Sequence, residues 1–263
     1  MNSKLGDLKI RQAILRMAPY LPPLESRDPE KHLLMDFNES PVPPPAEAIA
    51  AISDFLSRRA NVYPAYHDFL KVLSGYTFVE EDQLLLSNGS DHGIELVLRC
   101  FLEKGDELVM ALPGFAMFEQ VASTLGARVT GPRYSENMEF PAEALHQAVH
   151  DKTRLMVLIN PNNPTGTTIS PDAIKNFLES FPDLPILVDE AYFEFSGQTA
   201  AGLLEAFPNL IILRTFSKAL ALPSLRLGYV IAHPELIQQF AKIRGPFDVN
   251  AAAVVAAKVQ LEN

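Results

Sequence analysis

Short apolar runs separated by helical or polar stretches dominate the middle of this chain. "DELVMAL", "RLMVLIN", "PILVDEAY" and "LIILRTFS" are rich in Leu, Ile and Val. Segments such as "SPDAIKNFLESF", with helical apolar spacing, lie between them. That pattern predicts a parallel sheet buried on both faces, and so an α/β fold. "AEAIAAISDFLSRR" predicts a helix, and "DQLLLSNGSDHGIELVLRCFLEKG" reads as strand, turn and helix, with Gly105 as the stop. Residues 1–45 are irregular and proline-rich, which predicts an arm and a linker in which no long helix can form. The closing "NAAAVVAAKVQLEN" has no Gly or Pro stop, so the chain is expected to end inside or just after an element, as a truncation would.

Composition narrows the function classes. A formal net charge of −10 and a pI near 5.1 argue against nucleic acid and against an anionic membrane surface, both of which would repel the average surface. Any anionic ligand has to be held by local groups. The N-terminus lacks the apolar core and cleavage site of a secretory signal, and no run reaches the ~18 apolar residues that span a bilayer, so a cytoplasmic protein is expected. The single cysteine, Cys100, lies in the apolar helical pattern "GIELVLRCFL" and reads as core, which excludes disulfides and cysteine metal clusters within the chain. His146 and His150 of "HQAVH" are spaced like a metal pair on a helix. They lack the glutamate and third ligand of a zinc motif and read as a solvated helix face, with no metal expected.

Ligands of open α/β sheets bind beyond the carboxyl ends of the strands, and polar residues gather at those positions here. "NGSD", Asn88 to Asp91, follows one strand and opens a helix. The amides of Gly89, Ser90 and Asp91 could cradle a phosphate there, and the same segment also reads as helix capping by Ser90 or Asp91. "NPNNPTG" ends a second strand as a turn. Asp189 ends a third, where a buried carboxylate requires a cation or hydrogen-bond donors. Lys218 and Arg226 follow a fourth, in "RTFSKALALPSLRLGY". Amides, an asparagine, an aspartate, and a lysine with hydroxyls and an arginine suit a phosphorylated aromatic cofactor that forms an imine.

"PNNPTG", "DEAYFEF" and "RTFSKALALPSLRLGY", in that order and spacing, resemble the fold-type I pyridoxal-phosphate aminotransferases, in particular the histidinol-phosphate aminotransferase branch. The resemblance runs from "DFNESP" through "YP" at Tyr63–Pro64 to "KIRGPFDVN". It implies a three-layer α/β/α large domain with a mainly parallel sheet over residues 46–263. Residues 1–45 would form an arm and part of a small domain, whose remaining roughly ninety residues lie beyond the chain. It further implies pyridoxal 5'-phosphate as cofactor and a role for each matching residue. Lys218 would hold the cofactor aldehyde and shuttle the proton, Asp189 would pair with the pyridine nitrogen, and Asn163 and Tyr192 would bond the phenolate oxygen. Gly89, Ser90, Asp91, Ser217, Thr215 and Arg226 would hold the phosphate. Tyr63 would reach the cofactor of a partner subunit, which implies a homodimer with shared sites. The sequence departs from the family at Phe115, where many relatives stack a tyrosine, and at Pro223–Ser224, where relatives have Ala-Gly. The implied reaction moves an amino group between L-histidinol phosphate and 2-oxoglutarate. Transamination of aromatic or other amino acids, decarboxylation of a phosphorylated amino acid, and a catalytically incomplete cofactor-binding fragment stand as alternatives.

Overall fold

The four apolar runs become adjacent strands of one seven-stranded sheet. The computed structural model describes residues 9–262 apart from residues 23, 25, 26 and 29. The first eight residues of the expected arm and Asn263 of the closing segment therefore lie outside the described residues. In chain order the strands are β1 (Leu84–Ser87), β2 (Glu107–Met110), β3 (Arg128–Thr130), β4 (Thr153–Ile159), β5 (Ile186–Asp189), β6 (Leu210–Thr215) and β7 (Gly228–Ala232). Their spatial order is β1-β7-β6-β5-β4-β2-β3. The helices are α1 (Gln12–Leu15), α2 (Ala46–Arg59), α3 (His67–Thr77), α4 (Gly89–Phe101), α5 (Met117–Leu125), α6 (Ala142–Gln147), α7 (Pro171–Ser180), α8 (Phe193–Ser196), α9 (Pro234–Ile243) and α10 (Ala251–Glu262).

The two-residue period of an extended chain sorts each buried strand between two cores. Leu210 and Ile212 of β6 face one side, with α2, α3, α6, α7 and α10, while Ile211 and Leu213 face α4, α5 and α9. Continuous apolar runs are therefore required, because both faces of the sheet are covered. Burial on both faces gives three layers, as the runs predict. The expected helix over 46–59 forms as α2, whereas α4 ends at Phe101 with Leu102 already extended, so Gly105 lies in the turn that follows and is not the helix stop.

Two further features differ from the sequence expectation. "GYVIA" forms β7, which runs antiparallel to both neighbours. Its short return from β6 brings Arg226 back to the edge where β6 ends, and a sequence pattern of buried strands carries no sign of direction. The second difference concerns "HQAVH". Helix α6 ends at Gln147, so His146 and His150 do not share a helix face. His150 Nε2 lies 3.0 Å from Glu107 Oε2, and Arg128 Nη2 donates to Glu107 Oε1 at 2.7 Å. Glu107 is buried at the start of β2, and a carboxylate there needs such donors.

Ile212 is fully buried at the centre of the sheet. Ile212→Ala is expected to lower the free energy of unfolding by about 2–5 kcal/mol through lost burial and a residual cavity. Urea titration followed by circular dichroism measures it.

Candidate active site

Strand register assembles the site. Ser87 of β1 and Thr215 of β6 both pair with Gly228 of β7, and Ile159 of β4 pairs with Asp189 of β5. All of these lie at the carboxyl edge of the parallel strands, and β7 starts there. Three of the loops leaving this edge, and the arm segment 38–41, enclose a cavity of about 740 Å³. Its wall includes Asn38, Glu39, Asn163, Tyr192, Glu194 and Lys218.

Each wall residue is held by its loop. Asn160 is fully buried, its Nδ2 donates to the Ile169 carbonyl at 2.9 Å, and its Oδ1 accepts the Ile169 amide at 2.8 Å. That pair of bonds closes the loop whose turn presents Asn163. Asn162 Nδ2 donates to the Pro113 carbonyl at 3.2 Å, tying the same loop to the one after β2. The Phe216 amide donates to the Leu227 carbonyl at 3.0 Å and the Ser217 amide donates to Thr215 Oγ1 at 3.1 Å, so the turn carrying Lys218 is fixed at both ends. Lys218 Nζ donates to the Phe37 carbonyl at 2.6 Å, and Asn38 Nδ2 donates to the Tyr192 hydroxyl at 3.0 Å. These two arm contacts were missed in the sequence. The one available signal was the turn-forming Asn38 within "DFNESP", and Asn38 does adopt a left-handed conformation, φ 52°.

Beside Lys218 lies an anion cradle. Gly89, with φ +76°, opens α4, and a Cβ there would sit 2.5 Å from Arg226 Nη2. A Cβ on Gly228 would meet the Ser90 amide nitrogen at 2.8 Å and the Arg214 carbonyl oxygen at 2.9 Å. Bare backbone thus approaches bare backbone, and the first amides of α4 face a fork of guanidinium donors. Arg226 Nη2 donates to Asp91 Oδ2 at 3.1 Å and Nη1 to the Pro223 carbonyl at 2.9 Å. Thr215 and Ser217 are buried, with their hydroxyl oxygens 3.0 Å apart.

Burial sets the charges. Asp189 is pushed up to about 7 by desolvation, with the Ala191 amide opposing and Asp91 and Glu190 adding to the rise. Lys218 is shifted below the ordinary lysine range by desolvation, which Glu39, Asp91 and Asp189 oppose. Tyr192 is raised by burial. A buried carboxylate, an amine biased toward its neutral form, and an anion cradle fit a ring bearing a cationic nitrogen, an aldehyde and a phosphate.

Of the expected residues, Asn163, Tyr192 and Lys218 line the cavity wall, while Asp189, Gly89, Ser90, Asp91, Thr215, Ser217, Arg226, Phe115 and Tyr63 do not. Phe115, after β2, packs partly against the core that includes α4, α5 and α9. Tyr63 is 76% exposed and stacks on Phe247 with ring centroids 4.3 Å apart.

The sequence pattern described as "Aminotransferase class I and II" matches residues 30–263. The chain belongs to the class I and II aminotransferase family. Aminotransferases of this family depend on pyridoxal phosphate, in keeping with the donor set described above. This aminotransferase is 35% identical to the histidinol-phosphate aminotransferase of Roseiflexus castenholzii, over 97% of this chain and 72% of that one. It is 33% identical to a dihydroxyacetone phosphate transaminase of Campylobacter jejuni, again over 97% and 72%. Among solved structures, the histidinol-phosphate aminotransferase of Sinorhizobium meliloti in complex with pyridoxal-5'-phosphate superposes with a TM-score of 0.81. There the identity is 27%, over 86% of this chain and 63% of that one. No helix among the described residues is long and apolar enough to cross a membrane.

The raised Asp189 has a consequence for stability. Between about pH 4 and about 7 the folded chain holds a proton that the unfolded chain releases, so stability falls as pH rises through this window. Glu194, also raised to about 7 by burial, acts in the same direction. Thermal melts of the cofactor-free chain are expected to drop by several degrees from pH 5 to 7.5, and Asp189→Asn to reduce that slope. An unchanged slope in the variant would count against the assignment. Gly228→Ala, which presses on backbone alone, is expected to weaken binding of pyridoxal phosphate at least about tenfold, as read by fluorescence titration.

Proposed function

We propose that this aminotransferase moves the amino group of L-histidinol phosphate to 2-oxoglutarate in histidine biosynthesis, as a homodimer with shared sites. The carrying observation for the chemistry is the convergence of Lys218, Tyr192 and Asn163 on one cavity at the strand edge where Asp189 ends β5. For the donor it is the match over 97% of the chain to a relative named for histidinol phosphate.

When bound, pyridoxal phosphate supplies an aldehyde that takes the amino group and a ring that accepts the electron pair left at the substrate α-carbon. The chain's residues do the rest. Lys218, biased toward the neutral amine, is the nucleophile that holds the aldehyde carbon and the base that moves the α-proton. Asp189 would pair with the ring nitrogen and keep it protonated. Tyr192 and Asn163 bond the ring oxygen. Ser217, Thr215, Arg226 and the amides of Gly89, Ser90 and Asp91 bind the phosphate, with Arg226 exchanging its bond to Asp91 for the anion. Phe115 would stack on the ring, as the family resemblance implies. Tyr63, exposed and stacked on Phe247, would contact the phosphate of the partner's site.

A second reading of the donor has its own support in the relative named for dihydroxyacetone phosphate. Both compounds carry a phosphate ester on the carbon next to the one that bears nitrogen or oxygen in the reaction. The shared feature is therefore the CH2–O–phosphate group, and the imidazole is what separates the two.

Purified chain with pyridoxal phosphate is expected to show a borohydride-reducible absorbance band that Lys218→Ala abolishes, with donor turnover falling by at least about a thousandfold. Adding histidinol phosphate should convert the band to the amine form. Conversion by serinol phosphate, the amine of dihydroxyacetone phosphate, with none by histidinol phosphate would favour the second reading. Mixing Lys218→Ala with Tyr63→Ala chains should restore measurable activity if sites are shared, since one site in each mixed dimer then keeps both residues.

A further inference from the structure

The roles above leave one buried polar cluster unused. Glu190 is fully buried and Arg214 is 2% exposed. Arg214 Nε and Nη2 both donate to Glu190 Oε2, at 2.9 and 2.8 Å. The second oxygen of Glu190 accepts the Ala200 amide at 2.6 Å. The Thr199 hydroxyl donates to Glu190 Oε2 at 2.9 Å and accepts from Arg214 Nη2 at 2.7 Å. The guanidinium carbon of Arg214 lies 3.7 Å from the ring centroid of Phe193.

One side chain of β6 therefore grips the segment 190–200 at its start, middle and end. Tyr192 lies within that span, between Glu190 and Phe193, and lines the cavity. Its hydroxyl accepts from the Asn38 amide of the arm at 3.0 Å, and its ring lies 5.7 Å from Lys218 Nζ and 6.4 Å from the Phe195 ring. Arg214 stands four residues before Lys218 on the same strand and turn. The pair thus connects the loop bearing Tyr192, which follows Asp189, to the strand that leads into the Lys218 turn. Stability alone is a weak reason for such a pair, because apolar side chains of similar volume often replace a buried ion pair without loss.

We propose that Glu190 and Arg214 are positioning residues, whose ion pair fixes the Tyr192 turn against the β6 strand and so sets the hydrogen bond Tyr192 gives to the cofactor's ring oxygen. The inference rests on the pyridoxal phosphate reading of Lys218, Asp189 and Tyr192. Other charges acting on Lys218 are Glu39, Asp91, Asp189 and Arg226, and none of these is altered in the test. Glu190 itself raises Asp189, so the deciding variants keep every charge.

Arg214→Lys keeps the charge and loses the fork, and Phe193→Leu keeps the ion pair and loses the ring beneath it. In both, the pH midpoint of the bound-cofactor absorbance is expected to move by about half a unit or more. Donor kcat should fall at least about tenfold while KM stays within about threefold. A lowered melting temperature with midpoint and kcat unchanged would reduce the pair to a structural role and overturn the proposal. Should Arg214→Lys not fold, Phe193→Leu, which loosens the same grip with every charge kept, decides by the same readings. Absence of the absorbance band in the unaltered chain would overturn the cofactor reading and this inference with it. A normal band that no variant shifts would overturn this inference alone.

Discussion

Burying a carboxylate at the tip of β5 is the constraint around which this molecule is arranged. Asp189 sits where a sheet covered on both faces meets its polar edge, and desolvation there pushes its proton affinity up to about neutral pH. A group so placed is tolerated where its surroundings are rigid and a positive partner can be brought to it. The amide of Ala191 supplies one fixed donor, and Lys218 supplies a positive field from the neighbouring turn. The same desolvation shifts the amine of Lys218 below the ordinary lysine range, so one physical cause disfavours the charged form of both groups.

Geometry follows from topology. Six strands point toward the site, and the antiparallel β7 begins at the site, so the turn between β6 and β7 delivers both Lys218 and Arg226 to one edge. Gly228, at the start of β7, lies against the backbone of Gly89 and Ser90, which brings the start of α4 within reach of Arg226. A side chain at either glycine would separate the two halves of the anion cradle. The close approach of backbone to backbone is thus part of the chemistry as much as of the packing.

Much of this was legible in the chain. The runs at 154–160, 185–192 and 210–217 name their own strands, because a strand buried on both faces must be apolar throughout. Asp189 and Lys218 stand out because charge at the end of such a run requires an explanation. The direction of β7 was not legible, since "GYVIA" is as apolar as a parallel strand would be. Nor was the role of Asn38, which depends on an arm folding over a loop 154 residues away. Glu190 and Arg214 were hidden for the opposite reason. Each reads alone as an ordinary charged residue, and only strand pairing between β5 and β6 brings the loop of one to the side chain of the other.

The bond from Lys218 to the Phe37 carbonyl spans 181 residues of sequence. A chain made from its N-terminus has its arm outside the ribosome long before the strand that the arm must meet has been synthesised. Until residue 218 emerges, the Phe37 carbonyl lacks the Lys218 partner it has in the folded chain, where Leu33 and Met35 of the same arm remain exposed. The segment that meets Lys218 is therefore made well before its partner and can dock only after it. Its proline-rich, irregular character suits a stretch that has to wait without committing to a fold of its own.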